Sequence, residues 1–232
     1  MDQIIEDKEL GRLIIHVNPR AKRFIFRTRN DEITITIPPK TSLKEVKVTI
    51  EKLREKLLIS KKNVLTTHIN LDYKIQTDFF ELSLIQENQE RFLAHSEPGK
   101  MKIICPTNAN FEDKKLQIWL RKVIEEALRR NAKIILPPKL YMLSEKNQLH
   151  YESVKINSSR GRWGSCSAKQ NINLSYFLLL LPEHLINYVL LHELCHTKEM
   201  NHGEKFWKLL NMLTDNKALE LRNELKKYKT NF

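Results

Sequence analysis

At 232 residues, with 41% apolar and 29% charged side chains, the chain is long enough for one large core or two smaller ones, and its mixture is globular rather than disordered. Five glycines exclude collagen-like and Gly-rich linker architectures, and the longest apolar run, Tyr176 to Leu181, is far shorter than the ~20 residues of a membrane span. Forty Lys and Arg against 28 Asp and Glu leave a charge of +12, which favours acidic partners and makes nucleic acid a candidate partner, although the basic residues are spread along the chain as on an ordinary solvated surface.

Cys105, Cys166 and Cys195 are an odd, sparse set, which argues against a disulfide framework and for a reducing, cytoplasmic setting. Asp2, Glu6, Asp7 and Glu9 do not give the basic-then-apolar order of a leader peptide. No internal repeat, low-complexity segment or long linker is evident.

The first hundred residues read mainly as strands. Phe24 and Phe26, then Ile33, Ile35 and Ile37, alternate with polar neighbours around Asn30-Asp31, so residues 22–37 predict a hairpin. Pro38-Pro39 stops its second strand. Ser42 and Glu45 make a capping box for a helix whose Val46, Ile50, Leu53 and Leu57 share a face. Phe79 to Ile85, Arg91 to His95 and Met101 to Cys105 read as further strands. A second helix is expected from about Phe111 to Asn131, with Pro137-Pro138 breaking the chain after it. Tyr151 to Asn157 and Asn171 to Leu174 read as strands bracketing Ser158 to Gln170. Pro182 opens a helix expected to reach about Glu199, and one or two amphipathic helices follow from Glu204 to about Lys227. The division expected is a β-rich portion with one helix over residues 1–107 and a second domain over residues 108–232.

The chemistry concentrates in His192-Glu193-Leu194-Cys195-His196. Residues four apart share one helical face, so His192 and His196 can direct imidazole nitrogens at one metal ion, and zinc suits such a site. Glu193 lies about 100° further round, where a carboxylate can take a proton from water at the site. Burying these side chains on an apolar helix is costly unless they are paired or metal-bound. His202 is the best third ligand, provided that the helix ends and the chain turns back. Metzincins place their third His at this ten-residue offset with Gly at the seventh position, where this chain has Glu199, so the bend is expected around Met200-Asn201. Glu220 and Glu224 are the alternative third ligands. His184 is too far along the helix to share the metal, and Cys195 reads as a small buried apolar residue.

Arg162-Trp163-Gly164-Ser165-Cys166, Ile172-Asn173-Leu174, Pro182, the His192–His196 motif, Asn201-His202 and Phe206-Trp207 together resemble the YgjP-like (SprT-like) metallopeptidases, a zincin-type group. The resemblance implies an α+β fold, with helices packed on a small mixed sheet beside the metal-binding helix and an N-terminal β-rich portion. It implies one zinc ion on His192, His196 and His202, with Glu193 as catalytic base, and a peptide or protein as substrate. It also places Arg162 to Cys166 near the cleft, with Gly161 and Gly164 allowing close backbone approach. Ser175 stands where the family usually has Asn.

Arg162, Trp163 and Asn173 are the expected substrate-binding residues, with strand addition near Asn171 to Leu174. Arg162, Tyr188 and Tyr228 are candidate oxyanion donors that the sequence does not place. Three other readings stay open on the sequence: a protease acting on DNA-bound proteins, a non-catalytic zinc-stabilised interaction module, and a hydrolase of a non-peptide amide.

Overall fold

A computed structural model describes residues 3–29, 32–64 and 68–230. Two compact units, Met1–His68 and Ile69–Phe232, make up the chain.

In the first unit, β1 (Gln3–Asp7), β2 (Gly11–Val17), β3 (Ile25–Arg29) and β4 (Glu32–Ile37) form a sheet in the order β1-β2-β4-β3, followed by α1 (Leu43–Val64). Strands β3 and β4 pair antiparallel as the expected hairpin; its turn, Asn30-Asp31, lies outside the described residues. Period-two alternation puts Leu13 and Ile15 of β2, and Ile33, Ile35 and Ile37 of β4, into a core completed by Val46, Ile50 and Leu57 of α1. The capping box forms as expected. The Ser42 amide donates to Glu45 Oε2 at 2.8 Å, and the Glu45 amide donates to Ser42 Oγ at 3.3 Å.

The second unit opens with β5 (Ile75–Gln76), β6 (Glu81–Glu87), β7 (Leu93–Glu97) and β8 (Lys100–Pro106), in the order β5-β6-β8-β7. This repeats the first unit. In each sheet the first two strands pair antiparallel, the second and fourth run parallel, the third and fourth pair antiparallel, and a long helix follows. Contrary to the sequence reading, the chain therefore contains an internal repeat of topology. Only the burial pattern is shared. Ile33 and Ile35 in β4 answer to Met101 and Ile103 in β8, with Pro38 and Pro106 close behind.

Helix α2 (Lys114–Asn147) starts at Asp113, whose carboxylate accepts from the Lys115 amide at 2.9 Å, and runs through Pro137 and Pro138 instead of breaking there. A mid-helix proline costs about 3 kcal/mol in an exposed helix. Here Leu128, Ala132, Leu136 and Leu140 continue one fully buried stripe across the prolines, and that burial outweighs the lost amide bonds. Phe80, Leu82 and Ile103 share a core with this helix and with the elements that follow. That shared core puts the boundary between units at His68/Ile69 and not at the expected 107/108.

A three-stranded sheet then forms from β9 (Ser153–Asn157), β10 (Gly164–Cys166) and β11 (Asn171–Ser175), in the order β10-β11-β9. The short strand β10 lies within Ser158 to Gln170, the segment that the two expected strands bracket. A 3₁₀ turn (Tyr176–Leu180) leads to α3 (Glu183–Cys195), α4 (Glu204–Leu213) and α5 (Ala218–Leu225). Pro182 is the residue before the first turn of α3. Among the described residues, no helix is long and apolar enough to cross a membrane.

Arg54 of α1 ties the first unit together, with hydrogen bonds to Asp7 Oδ2 at 2.8 Å and Glu9 Oε2 at 3.0 Å. Asp7 is held well below the usual carboxylate range, chiefly by Arg54 and then by the Leu10 amide. A lowered carboxylate stabilises the fold above its unfolded pKa of about 3.9 and loses that contribution as pH falls. Arg54→Met is expected to destabilise this unit by about 1 kcal/mol at pH 7. The difference from wild type should shrink below about pH 4, as read by amide exchange across β1 and β2.

Candidate metal centre

Helix α3 is apolar on nearly every side, with Leu185, Ile186, Val189, Leu190 and Leu194 buried. It stops at Cys195, earlier than expected, and His196 caps it. Bonds of the i→i−3 type tighten the end: the Thr197 amide donates to Leu194 O and the Lys198 amide to Cys195 O, each at 3.0 Å. The Thr197 hydroxyl also donates to Leu194 O at 2.8 Å. The chain then crosses 199–202 with no residue in the left-handed region, which is why Glu199 serves where a glycine-dependent bend would fail.

That bend returns His202 to the helix. His192 Nε2 lies 3.2 Å from His196 Nε2 and 3.1 Å from His202 Nε2. One Nε2 carries one proton at most, so hydrogen bonding cannot satisfy all three nitrogens at once. A tetrahedral zinc with bonds of 2.0–2.1 Å would space its nitrogens by about 3.3 Å, close to the separations found. The His196 Nδ1–H donates to Glu199 O at 3.1 Å, which leaves the Nε2 lone pair pointing at the shared centre. Burial, then the neighbouring imidazoles, push His192 down to about 3, so its ring is neutral and able to ligate at neutral pH. The residues present therefore fit a zinc ion. Among the described residues these three histidines are the group able to hold a metal.

Phe206 of α4, fully buried, backs the site, with its ring 5.0, 4.6 and 4.7 Å from those of His192, His196 and His202. Trp207 Nε1–H donates to His202 O at 3.1 Å and anchors the returning loop.

Glu193 is 5% exposed, and its Oε2 has no hydrogen-bond partner. Burial raises its carboxyl to about 8, opposed by the positive charge of Arg162. The side chain lies flat against Gly164 of β10. A Cβ there would meet Glu193 Oε1 at 2.6 Å and Cγ at 2.7 Å. Gly164 thus permits the close approach implied by the resemblance, whereas Gly161 has open space around it.

The remaining candidates separate. Trp163 packs on the core, and its carbonyl accepts from the Ser175 amide at 2.9 Å. Asn173 sits half-buried on β11, which pairs on one side with β9 and on the other with β10. Strand addition at Asn171 to Leu174 is therefore ruled out because both sides are taken; the edges are β9 and β10, and β10 is the one against Glu193. Tyr188, buried, holds its ring 6.0 Å from that of His192. Tyr228 lines a different cavity with Glu220 and Glu224, and Glu224 Oε1 lies 2.8 Å from His184 Nε2. Neither glutamate joins the imidazoles. Arg222 of α5, which the sequence reading missed, lines a cavity of about 270 Å³ with His192, His202 and Trp207. No spacing rule links it to the motif, since it arrives from a separate helix.

With this geometry in place, comparison with known proteins identifies the class. The YgjP-like metallopeptidase domain matches residues 22–228, and the chain belongs to that family. It is accordingly a metallopeptidase, and the expected α+β core with helices on a small mixed sheet is the one found. The crystal structure of the metallopeptidase zymogen abylysin from Pyrococcus abyssi is similar at 24% identity and a TM-score of 0.35, over 40% of this chain and 94% of that one. No curated protein matches the chain.

Gly164→Ala is expected to push Glu193 aside, because the nearest atoms include its buried Cγ as well as the carboxylate tip. Displacement of about 1 Å predicts a ~100-fold loss of turnover, with metal content unchanged. Overpacking predicts a stability loss of about 1–3 kcal/mol by chemical denaturation. Wild-type turnover in this variant would refute the contact.

Proposed function

We propose that the chain hydrolyses peptide bonds at a single zinc ion held by His192, His196 and His202, with Glu193 as general base. The observation that carries this reading is the meeting of three imidazole nitrogens next to a buried carboxylate whose Oε2 is unpaired. When bound, zinc supplies a Lewis acid that acidifies water and polarises the scissile carbonyl.

Glu193 accepts the proton of the attacking water and later delivers it to the leaving amine. Burial makes the carboxylate a stronger base, and so a better proton acceptor once ionised. The positive charge of Arg162 favours the ionised form of Glu193 and so the proton-accepting step. Extended substrate pairs with the free side of β10, where Gly164 keeps the edge low beside the base. A purely structural zinc site would need no buried acid at this position, which favours the catalytic reading over the interaction module.

Two variants test the assignment. Glu193→Gln is expected to keep about one zinc per chain by elemental analysis and to lose turnover about 10²–10⁴-fold. His202→Ala is expected to lose bound zinc on dialysis, since two imidazoles from one helical turn hold the ion far more weakly than three. Full retention of zinc by His202→Ala, or wild-type turnover by Glu193→Gln, would overturn the corresponding role.

A further inference from the structure

Arg222 stands on the wall of the cavity that also exposes His192 and His202. Its guanidinium carbon lies 5.3 Å from the centre of the Trp207 ring, within cation–π range. Trp207 is itself tied to the His202 carbonyl, so the guanidinium is held by the same loop that closes the metal centre.

Four arginines have acidic partners: Arg54 with Asp7, Arg129 and Arg130 with Glu126, and Arg160 with Glu125. Arg222 has none among the described residues, although it borders the site. It lines a cavity of about 270 Å³, room for a side chain. A planar fork held over an aromatic ring can still bind a carboxylate with two parallel hydrogen bonds.

We infer that Arg222 is a specificity-determining residue that receives a substrate carboxylate next to the cleaved bond, an inference that rests on the peptidase reading above. The carboxylate has two sources, an acidic side chain flanking the cleaved bond or the free C-terminus of a short peptide.

The test uses zinc-loaded wild type, Arg222→Gln and Arg222→Lys with quenched fluorescent peptides of one sequence, carrying Glu or Gln beside the cleaved bond and a free or amidated C-terminus. In wild type, kcat/KM should favour the carboxylate member of one pair by about tenfold or more, mainly through KM. Arg222→Gln should bring that ratio near one, and Arg222→Lys should restore part of it. A Glu/Gln effect identifies a side chain; an acid/amide effect identifies the terminus. Equal ratios in wild type and Arg222→Gln overturn the inference, as does the absence of any preference in wild type. A kcat loss shared by all peptides also overturns it, because that pattern marks a transition-state or structural role.

Should none of the peptides be cleaved by wild type, the peptidase reading fails and the subsite is still judged by binding. N-acetylglutamate should then shift the Trp207 indole N–H resonance at about tenfold lower concentration than N-acetylglutamine. Arg222→Gln should abolish that difference, and its persistence would sink the inference.

Discussion

The site depends on where α3 stops. A continued helix would carry His202 about 15 Å along the axis from His192; the structure places their Nε2 atoms 3.1 Å apart. Termination is built into the local chemistry. Leu194 O is taken by both the amide and the hydroxyl of Thr197, and the loop's own carbonyl, at Glu199, fixes the tautomer of His196. The same few residues thus end the helix, turn the chain and orient a ligand. Gln170 adds a tie from the β10–β11 turn, its Nε2 donating to Thr197 O at 3.2 Å. Helix end and sheet are positioned together.

The second constraint is steric. Glu193 stays buried and unpaired on one oxygen only because α3 packs closely on β10 at a residue without a side chain. An unsatisfied buried carboxylate costs free energy, and such groups persist where a function needs them. Here the cost is met by an apolar helix whose remaining faces are almost wholly buried. The edge strand, the base and the imidazoles are therefore one packed unit, and Phe206 seals its far side against all three rings.

What could be read from sequence follows from the range of each interaction. The capping box at Ser42 and Glu45, the hairpin ending at Pro38 and the pairing of His192 with His196 are set by neighbours three to fifteen residues apart, and their residue types carry the signal. Helix α2 crossing Pro137-Pro138 could not be read, because a long-range buried stripe through Leu136 and Leu140 overrode a local rule. Strand β10 is three residues long and contains Gly164 and Cys166, so no alternation marks it. Arg222 meets the cavity through the packing of α5, which no local pattern encodes.

The repeated topology was invisible for a related reason. The two ββββα arrangements share strand order and burial pattern, and burial is met by any apolar residue of suitable size: Ile33 and Ile35 in one copy, Met101 and Ile103 in the other. Their helices then diverge in use. Helix α1 closes the core of its own sheet, with Val46, Ile50 and Leu57. Helix α2 is longer, and its stripe joins the second sheet's apolar face to a cluster that includes Leu185, Leu190 and Leu194 of α3. A fold element that is self-contained in the first unit becomes, by extension of one helix past two prolines, the support of the metal-binding helix in the second. The extra turns of α2 tolerate Pro137 and Pro138 because Leu136 and Leu140 are fully buried there, so the stripe that lengthens the helix is the one that carries the site.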